Sequence, residues 1–156
     1  MMKLATKLHV KDVMTKDVVT AEATTSLHAA LEIMEENHVT ALPVVDGRGE
    51  ILGLVSSSDL VDLTRQLDED LSDIEHLSEV SRVWLLERLR DHGLGQTLLA
   101  DLMSQEVATV DPECTLAVAA KTMIRHRVHR LPVVDQQNRV VGIVSTMDLL
   151  AALVGD

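Results

Sequence analysis

Two tetrads of the same outline, Ser56-Ser57-Ser58-Asp59 and Ser145-Thr146-Met147-Asp148, place a hydroxyl three residues ahead of a carboxylate. That spacing lets the hydroxyl cap a helix while the carboxylate bonds back to the N–H of the capping residue. A second group is Arg125-His126-Arg127-Val128-His129-Arg130, with three arginines and two histidines in six residues of a chain whose formal net charge is −11. Guanidinium forks suit phosphates; basic residues equally suit a helix C-terminus, where the dipole is negative. Thr20 and Thr109 lie in short β-rich stretches and can each offer a hydroxyl. A threonine in a strand needs no ligand to explain it.

Other chemistry finds no support in the residue pattern. The seven histidines show no metal spacing of the His-Glu-x-x-His kind. Cys114, the sole cysteine, has no evident activating neighbour and falls where a helix cap belongs. Gly47-Arg48-Gly49 reads as a hairpin turn, not as a phosphate loop. The expectation is no catalytic residue, no metal site and no required cofactor.

Composition narrows the partners. Trp84 is the only aromatic residue among 156, so the core must be aliphatic and there are no rings on which successive bases could stack. A charge of −11 opposes nucleic acid and anionic membrane. No run approaches the roughly 18 apolar residues of a membrane span, and none near the start has signal-peptide length. A cytoplasmic protein is expected.

An internal repeat organises the rest. Leu42-Pro43-Val44-Val45-Asp46 recurs as Leu131-Pro132-Val133-Val134-Asp135, 89 residues later, and the same offset aligns the surroundings without a gap. Asp12 and Met14 meet Asp101 and Met103; Gly53, Ser56 and Asp59 meet Gly142, Ser145 and Asp148. Each repeat reads as strand, helix, strand, strand, helix. Val18 to Thr20, and Val107 to Thr109 in the second copy, form the first strand. Leu27, Ala30, Leu31 and Met34 mark one helical face, as do Leu116, Ala119, Ala120 and Met123. Leu42 to Val45 and Ile51 to Val55 make a hairpin about Asp46-Gly47-Arg48-Gly49, and Pro43 suggests that the former strand starts at a sheet edge. Residues 1–64 form repeat one, 65–98 an acidic helical insert, and 99–156 repeat two. The class is α/β (α+β), two pseudo-symmetric β-α-β-β-α repeats packed as one module. The insert helix spans about Ser72 to Asp91, with Gly93 as its C-cap and an apolar stretch from Val83 to Leu86.

The twofold occurrence of Leu-Pro-Val-Val-Asp, a short gap, then Gly-x-Val-Ser-x-x-Asp-Leu resembles the cystathionine-β-synthase-type (CBS) domain pair, or Bateman module. The resemblance covers nearly the whole chain outside the insert. It implies two related clefts that hold AMP, ADP, ATP or another adenosyl compound, and a regulatory rather than catalytic role. By that resemblance Asp59 and Asp148 accept from ribose hydroxyls, and Ser56, Ser58, Ser145 and Thr146 lie in the segments that face ribose or phosphate. His129 and Arg130 reach phosphate, and the stretches Val18 to Ala21 and Val107 to Asp111 flank the adenine, clamping it between aliphatic side chains and reading it by backbone groups, with Thr20 and Thr109 as candidates. Helix capping alone remains an alternative for the tetrads. Met147 replaces Ser58, and Asn37 to Ala41 hold no arginine, so the two clefts differ. A homodimer is implied, with the insert helix in its interface or in that of another protein. The competing reading is a CBS-fold interaction dimer that holds no ligand.

Overall fold

The computed structural model describes residues 7–67, 91 and 93–155. The body of the expected insert helix, with Trp84, Val83 to Leu86 and the acidic residues from Asp68 to Glu79, lies outside the described residues. Among the described residues no helix is long and apolar enough to cross a membrane.

In chain order the elements are α1 (Val10–Val13), β1 (Ala21–Glu22), α2 (Leu27–Glu36), β2 (Ala41–Val45), β3 (Ile51–Ser56), α3 (Ser57–Leu67), a 3-10 turn (Leu99–Asp101), α4 (Leu116–His126), β4 (Arg130–Val134), β5 (Val140–Ser145) and α5 (Thr146–Val154). This is the mixed α and β architecture that the repeat pattern predicts.

The helical faces fall where the periodicity places them. Leu27, Ala30, Leu31 and Met34 of α2 are buried, as are Leu116, Ala119 and Met123 of α4, with Ala120 packed against them. Ser26 caps α2 by accepting from the Ala29 N–H at 3.1 Å. Thr115, not Cys114, caps α4, accepting from Val118 at 3.3 Å. Each helix ends with the same wrap: Val39 N–H donates to Met34 O and Val128 N–H to Met123 O, both at 3.0 Å. To close it, His38 and Arg127, equivalent positions in the two repeats, enter the left-handed region at φ 53° and 54°.

One strand expectation needs correction. The first strand is not Val18 to Thr20 but Ala21–Glu22, parallel to β2 with Ala21 opposite Val44; in repeat two it shrinks to a single parallel bridge between Val110 and Val133. β2 lies between β1 and β3, but β1 pairs only with Val44 and Val45, so the start of β2, with Pro43, has no β1 residue opposite it and is an edge as expected. Proline accounts for the short first strands. Val110 N–H donates to Pro132 O at 3.1 Å, and Val134 N–H to Val110 O at 3.0 Å. The next bond of such a ladder would need an N–H on Pro132, which has none. The ladder therefore stops short of the β-branched run, and by the repeat Pro43 has the same effect beside β1.

The chain divides into two compact units that are not continuous in sequence. The repeat-one unit comprises Val19–Asp46 and Leu52–Gln105; the repeat-two unit comprises Met1–Val18, Gly47–Ile51 and Glu106–Asp156. Each closes with a segment that precedes the other repeat. In the repeat-two unit Thr15 and Ile143 exchange main-chain bonds at 2.9 and 3.0 Å, and Val10 N–H donates to Cys114 O at 2.9 Å. In the repeat-one unit Ser104 and Leu54, each 89 residues from a member of that pair in the other repeat, exchange bonds at 3.0 and 3.1 Å. Two glycines admit these segments. A Cβ on Gly53 would stand 2.7 Å from Met103 Sδ and 2.8 Å from Ser104 O; on Gly142 it would meet Met14 Sδ, with Thr15 O at 3.1 Å.

Val10 is fully buried in the repeat-two core with Val110, Leu131, Val133 and Val144; Leu99 is fully buried in the repeat-one core with Leu27, Leu42, Val55 and Leu60. Burying aliphatic side chains of this size contributes roughly 1.5–3 kcal/mol each.

Candidate functional site

In each unit the last strand delivers its tetrad to a helix start. β3 ends at Ser56 and α3 begins at Ser57; β5 ends at Ser145 and α5 begins at Thr146. Both tetrads form complete capping boxes. Ser56 N–H donates to Asp59 Oδ2 at 2.9 Å, and Asp59 N–H donates to Ser56 Oγ at 3.3 Å. Ser145 N–H donates to Asp148 Oδ2 at 2.8 Å, and Asp148 N–H donates to Ser145 Oγ at 3.2 Å. The Ser56 hydroxyl also donates to Asp59 Oδ2 at 3.0 Å. All of this falls on Oδ2. Among the described residues nothing donates to Oδ1 of either aspartate. Both carboxylates are half-buried, so each presents one oxygen that capping has left available.

Thr146 has a definite role of its own. Its N–H and its hydroxyl both donate to the His129 carbonyl, at 2.8 and 3.1 Å. Ser57, which the sequence did not single out, repeats this on Thr40 O at 2.9 and 3.2 Å. The 89-residue offset from Thr146 was the signal that could have found it. These clamps fix the helix start against the loop that leads into β2 or β4. In repeat two that loop carries His129, exposed, and Arg130, half-buried and the first residue of β4. Arg130, Ser145 and Thr146 are brought together: Arg130 pairs with Ser145 across the antiparallel hairpin. Ser58 is exposed on the first turn of α3, as is Met147 on α5.

Thr20 and Thr109 sit in the stretches that the prolines keep out of the sheet. Among the described residues no hydrogen bond engages the main chain of Val107, Ala108 or Thr109, nor that of Val19 or Thr20. These residues are half-buried. Such groups favour a partner with both donors and acceptors. The resemblance selected these threonines and the backbone groups of the same stretches, and the carbonyl and N–H of Ala108 are such groups.

The remaining reactive group is quiet. Burial pushes the Cys114 thiol up, and the Asp111 carboxylate adds to this; the thiolate form is disfavoured accordingly. Among the described residues no group of three or more metal-binding side chains converges.

Comparison with known proteins gives this arrangement its setting. An uncharacterised protein of Methanocaldococcus jannaschii is 30% identical over 93% of this chain and 90% of its own. A homoserine O-acetyltransferase of Methanococcoides burtonii is 31% identical over 92% of this chain, which spans only 24% of that enzyme. Among solved structures, CBSX2 of Arabidopsis thaliana in complex with AMP superposes with a TM-score of 0.70 at 28% identity, over 94% of this chain and 96% of that one. The CBS domain model matches residues 10–65 and again residues 99–155, and with both repeats covered the chain belongs to the CBS domain family, as a tandem pair.

Proposed function

We propose that the chain is a non-catalytic regulatory module that binds an adenosyl ligand, AMP, ADP or ATP, and acts in the cytoplasm as a homodimer. The observation that carries the reading is the pair of half-used carboxylates, Asp59 and Asp148. Each is fixed by a capping box on Oδ2 and offers Oδ1 at a helix N-terminus, where the helix dipole also favours an anion. Ser56, Ser58, Ser145 and Thr146 would line the ribose side. The unbonded main chain beside Thr20 and Thr109 would read the base edge. His129 and Arg130 would take the phosphate, in one repeat only.

The complex of CBSX2 with AMP supports the ligand class. No step of a reaction is assigned; the acetyltransferase of similar sequence is four times longer than the region it shares. A linear division into residues 1–64, 65–98 and 99–156 remains our working description of repeat one, insert and repeat two. The test is to purify the chain natively, denature it, and identify what is released by mass spectrometry, followed by calorimetry with AMP, ADP, ATP and adenosine. Release or micromolar binding of a phosphorylated adenosine supports the reading. Absence of binding by every adenosyl compound would favour an interaction module whose clefts are empty.

A further inference from the structure

Met14 and Met103 stand 89 residues apart and hold equivalent places in the two units. Each closes a short helical turn: Met14 N–H donates to Val10 O at 2.9 Å, and Met103 N–H to Leu99 O at 2.8 Å. The next residue, Thr15 or Ser104, makes the main-chain exchange with Ile143 or Leu54 that ties its segment to the unit. Each methionine sulfur occupies the space where a Cβ on a strand glycine would stand, Met14 Sδ at Gly142 and Met103 Sδ at Gly53. Met14 packs against the repeat-two core and Met103 against the repeat-one core, yet both residues are only half-buried. The other described methionines differ. Met34 is fully buried, and Met123 is 5% exposed, its sulfur accepting from the Thr146 hydroxyl at 3.7 Å. Met147 is 70% exposed on the first turn of α5. Among the described methionines, Met14 and Met103 alone combine a sulfur within reach of a small oxidant with packing that holds a segment in place.

We propose that Met14 and Met103 are paired oxidation sites, at which a peroxide converts the thioether to a sulfoxide and releases the segment that each methionine seats. A sulfur lone pair attacks one peroxide oxygen. The O–O bond breaks as the S–O bond forms, and the transferred oxygen passes its proton to the departing hydroxide, which leaves as water. Sulfur gives up two electrons and the peroxide takes them. The product is polar and one atom larger. Its oxygen is a strong acceptor set between an aliphatic core and a strand with no side chain at that place. Burying such an acceptor without a donor is disfavoured, and a close-packed site resists the added atom. Both penalties are relieved when the turn lifts off the strand, which opens the Thr15–Ile143 or Ser104–Leu54 bonds to water. Methionine sulfoxide reductases reverse the change, with two thiols becoming a disulfide as the oxygen leaves as water. This proposal does not depend on the adenosyl ligand.

Dilute hydrogen peroxide on the full chain tests this, with peptide mass spectrometry to place each added oxygen. Met147 should take oxygen first, Met14 and Met103 next, and Met34 and Met123 last. Oxidation of Met147 should leave the melting temperature unchanged. Oxidation of Met14 and Met103 should lower it by about 2–4 °C or more and speed hydrogen exchange at the Thr15, Ile143, Ser104 and Leu54 N–H groups by about tenfold or more. Reductases for both sulfoxide epimers should restore both readings. A variant with Met14→Leu and Met103→Leu keeps the volume of both side chains and should hold its melting temperature under the same peroxide. The proposal fails if Met14 and Met103 oxidise no faster than Met34 and Met123, or if they oxidise with melting and exchange unchanged. An equal fall in the melting temperature of the double variant also overturns it. Should that variant not fold by circular dichroism, the peroxide and reductase cycle on wild type decides alone.

Discussion

Asp148 illustrates how one side chain can serve two ends. Its Oδ2 closes the capping box, and among the described residues no donor falls on its Oδ1. Asp148→Ala should therefore do two things: lower stability by about 1 kcal/mol through the lost cap, and weaken nucleotide binding by roughly 1–3 kcal/mol through the lost acceptor. Melting and calorimetry on the same sample separate them, and a fall in melting temperature with unchanged affinity would reduce the residue to a cap. Asp135 gives a pH signature instead. N–H donation from Arg139, opposed by slight desolvation and helped by the Gln137 N–H and the Arg139 guanidinium, holds its carboxyl below the ordinary aspartate range. Folding thus favours the ionised form. That contribution is complete above the unfolded value of about 3.9 and disappears as pH falls through the lower folded value. Melting curves of wild type and Asp135→Ala should differ at neutral pH and converge as pH falls through the lowered folded value. The roles that the sequence disclosed at this scale are those carried by side-chain type and local spacing, as in the two Ser-x-x-Asp boxes. What escaped it was the clamp made by Ser57, hidden among three consecutive serines.

The elements show the same division between local and distant causes. Helices α2 and α4 were legible because a period of 3.6 is written into Leu27, Ala30, Leu31 and Met34 and their counterparts. The first strands were misplaced because Val18 to Thr20 has β-rich composition but no strand partner: pairing is decided by donors on another segment, and Pro43 and Pro132 withhold them. The glycines of β3 and β5 turn this dependence into a measurement. Gly53→Ala should cost roughly 1–3 kcal/mol, more than Gly142→Ala, because the obstacle includes a main-chain oxygen at 2.8 Å as well as Met103. Met14→Ala should recover part of the Gly142→Ala loss, whereas Met103→Ala should leave most of the Gly53→Ala loss in place. Chemical denaturation of the two double variants reads the difference. The left-handed helix ends add a gain: Arg127→Gly should raise stability by up to about 1 kcal/mol, since a side chain at φ 54° carries strain that glycine lacks.

On the scale of the molecule, the exchanged segments were invisible to the repeat pattern, which aligns Asp12 with Asp101 but does not say that each leader pairs with the opposite repeat. Val10→Ala, at the start of repeat one in sequence and far from repeat two, should destabilise the repeat-two unit by roughly 1–3 kcal/mol. Hydrogen exchange should place the loosening around Val110, Leu131 and Val144 and spare Leu42 and Val55. The exchange also sets an order of assembly during translation. The ribosome makes Val10 before either hairpin, yet the cavity that Val10 fills is not complete until β5 and α5 have emerged. The repeat-one unit has all of its parts once residue 105 is out of the exit tunnel and can close first. A segment made before repeat one therefore finds its place only after repeat two, and the order of synthesis is the reverse of the order of closure for that segment.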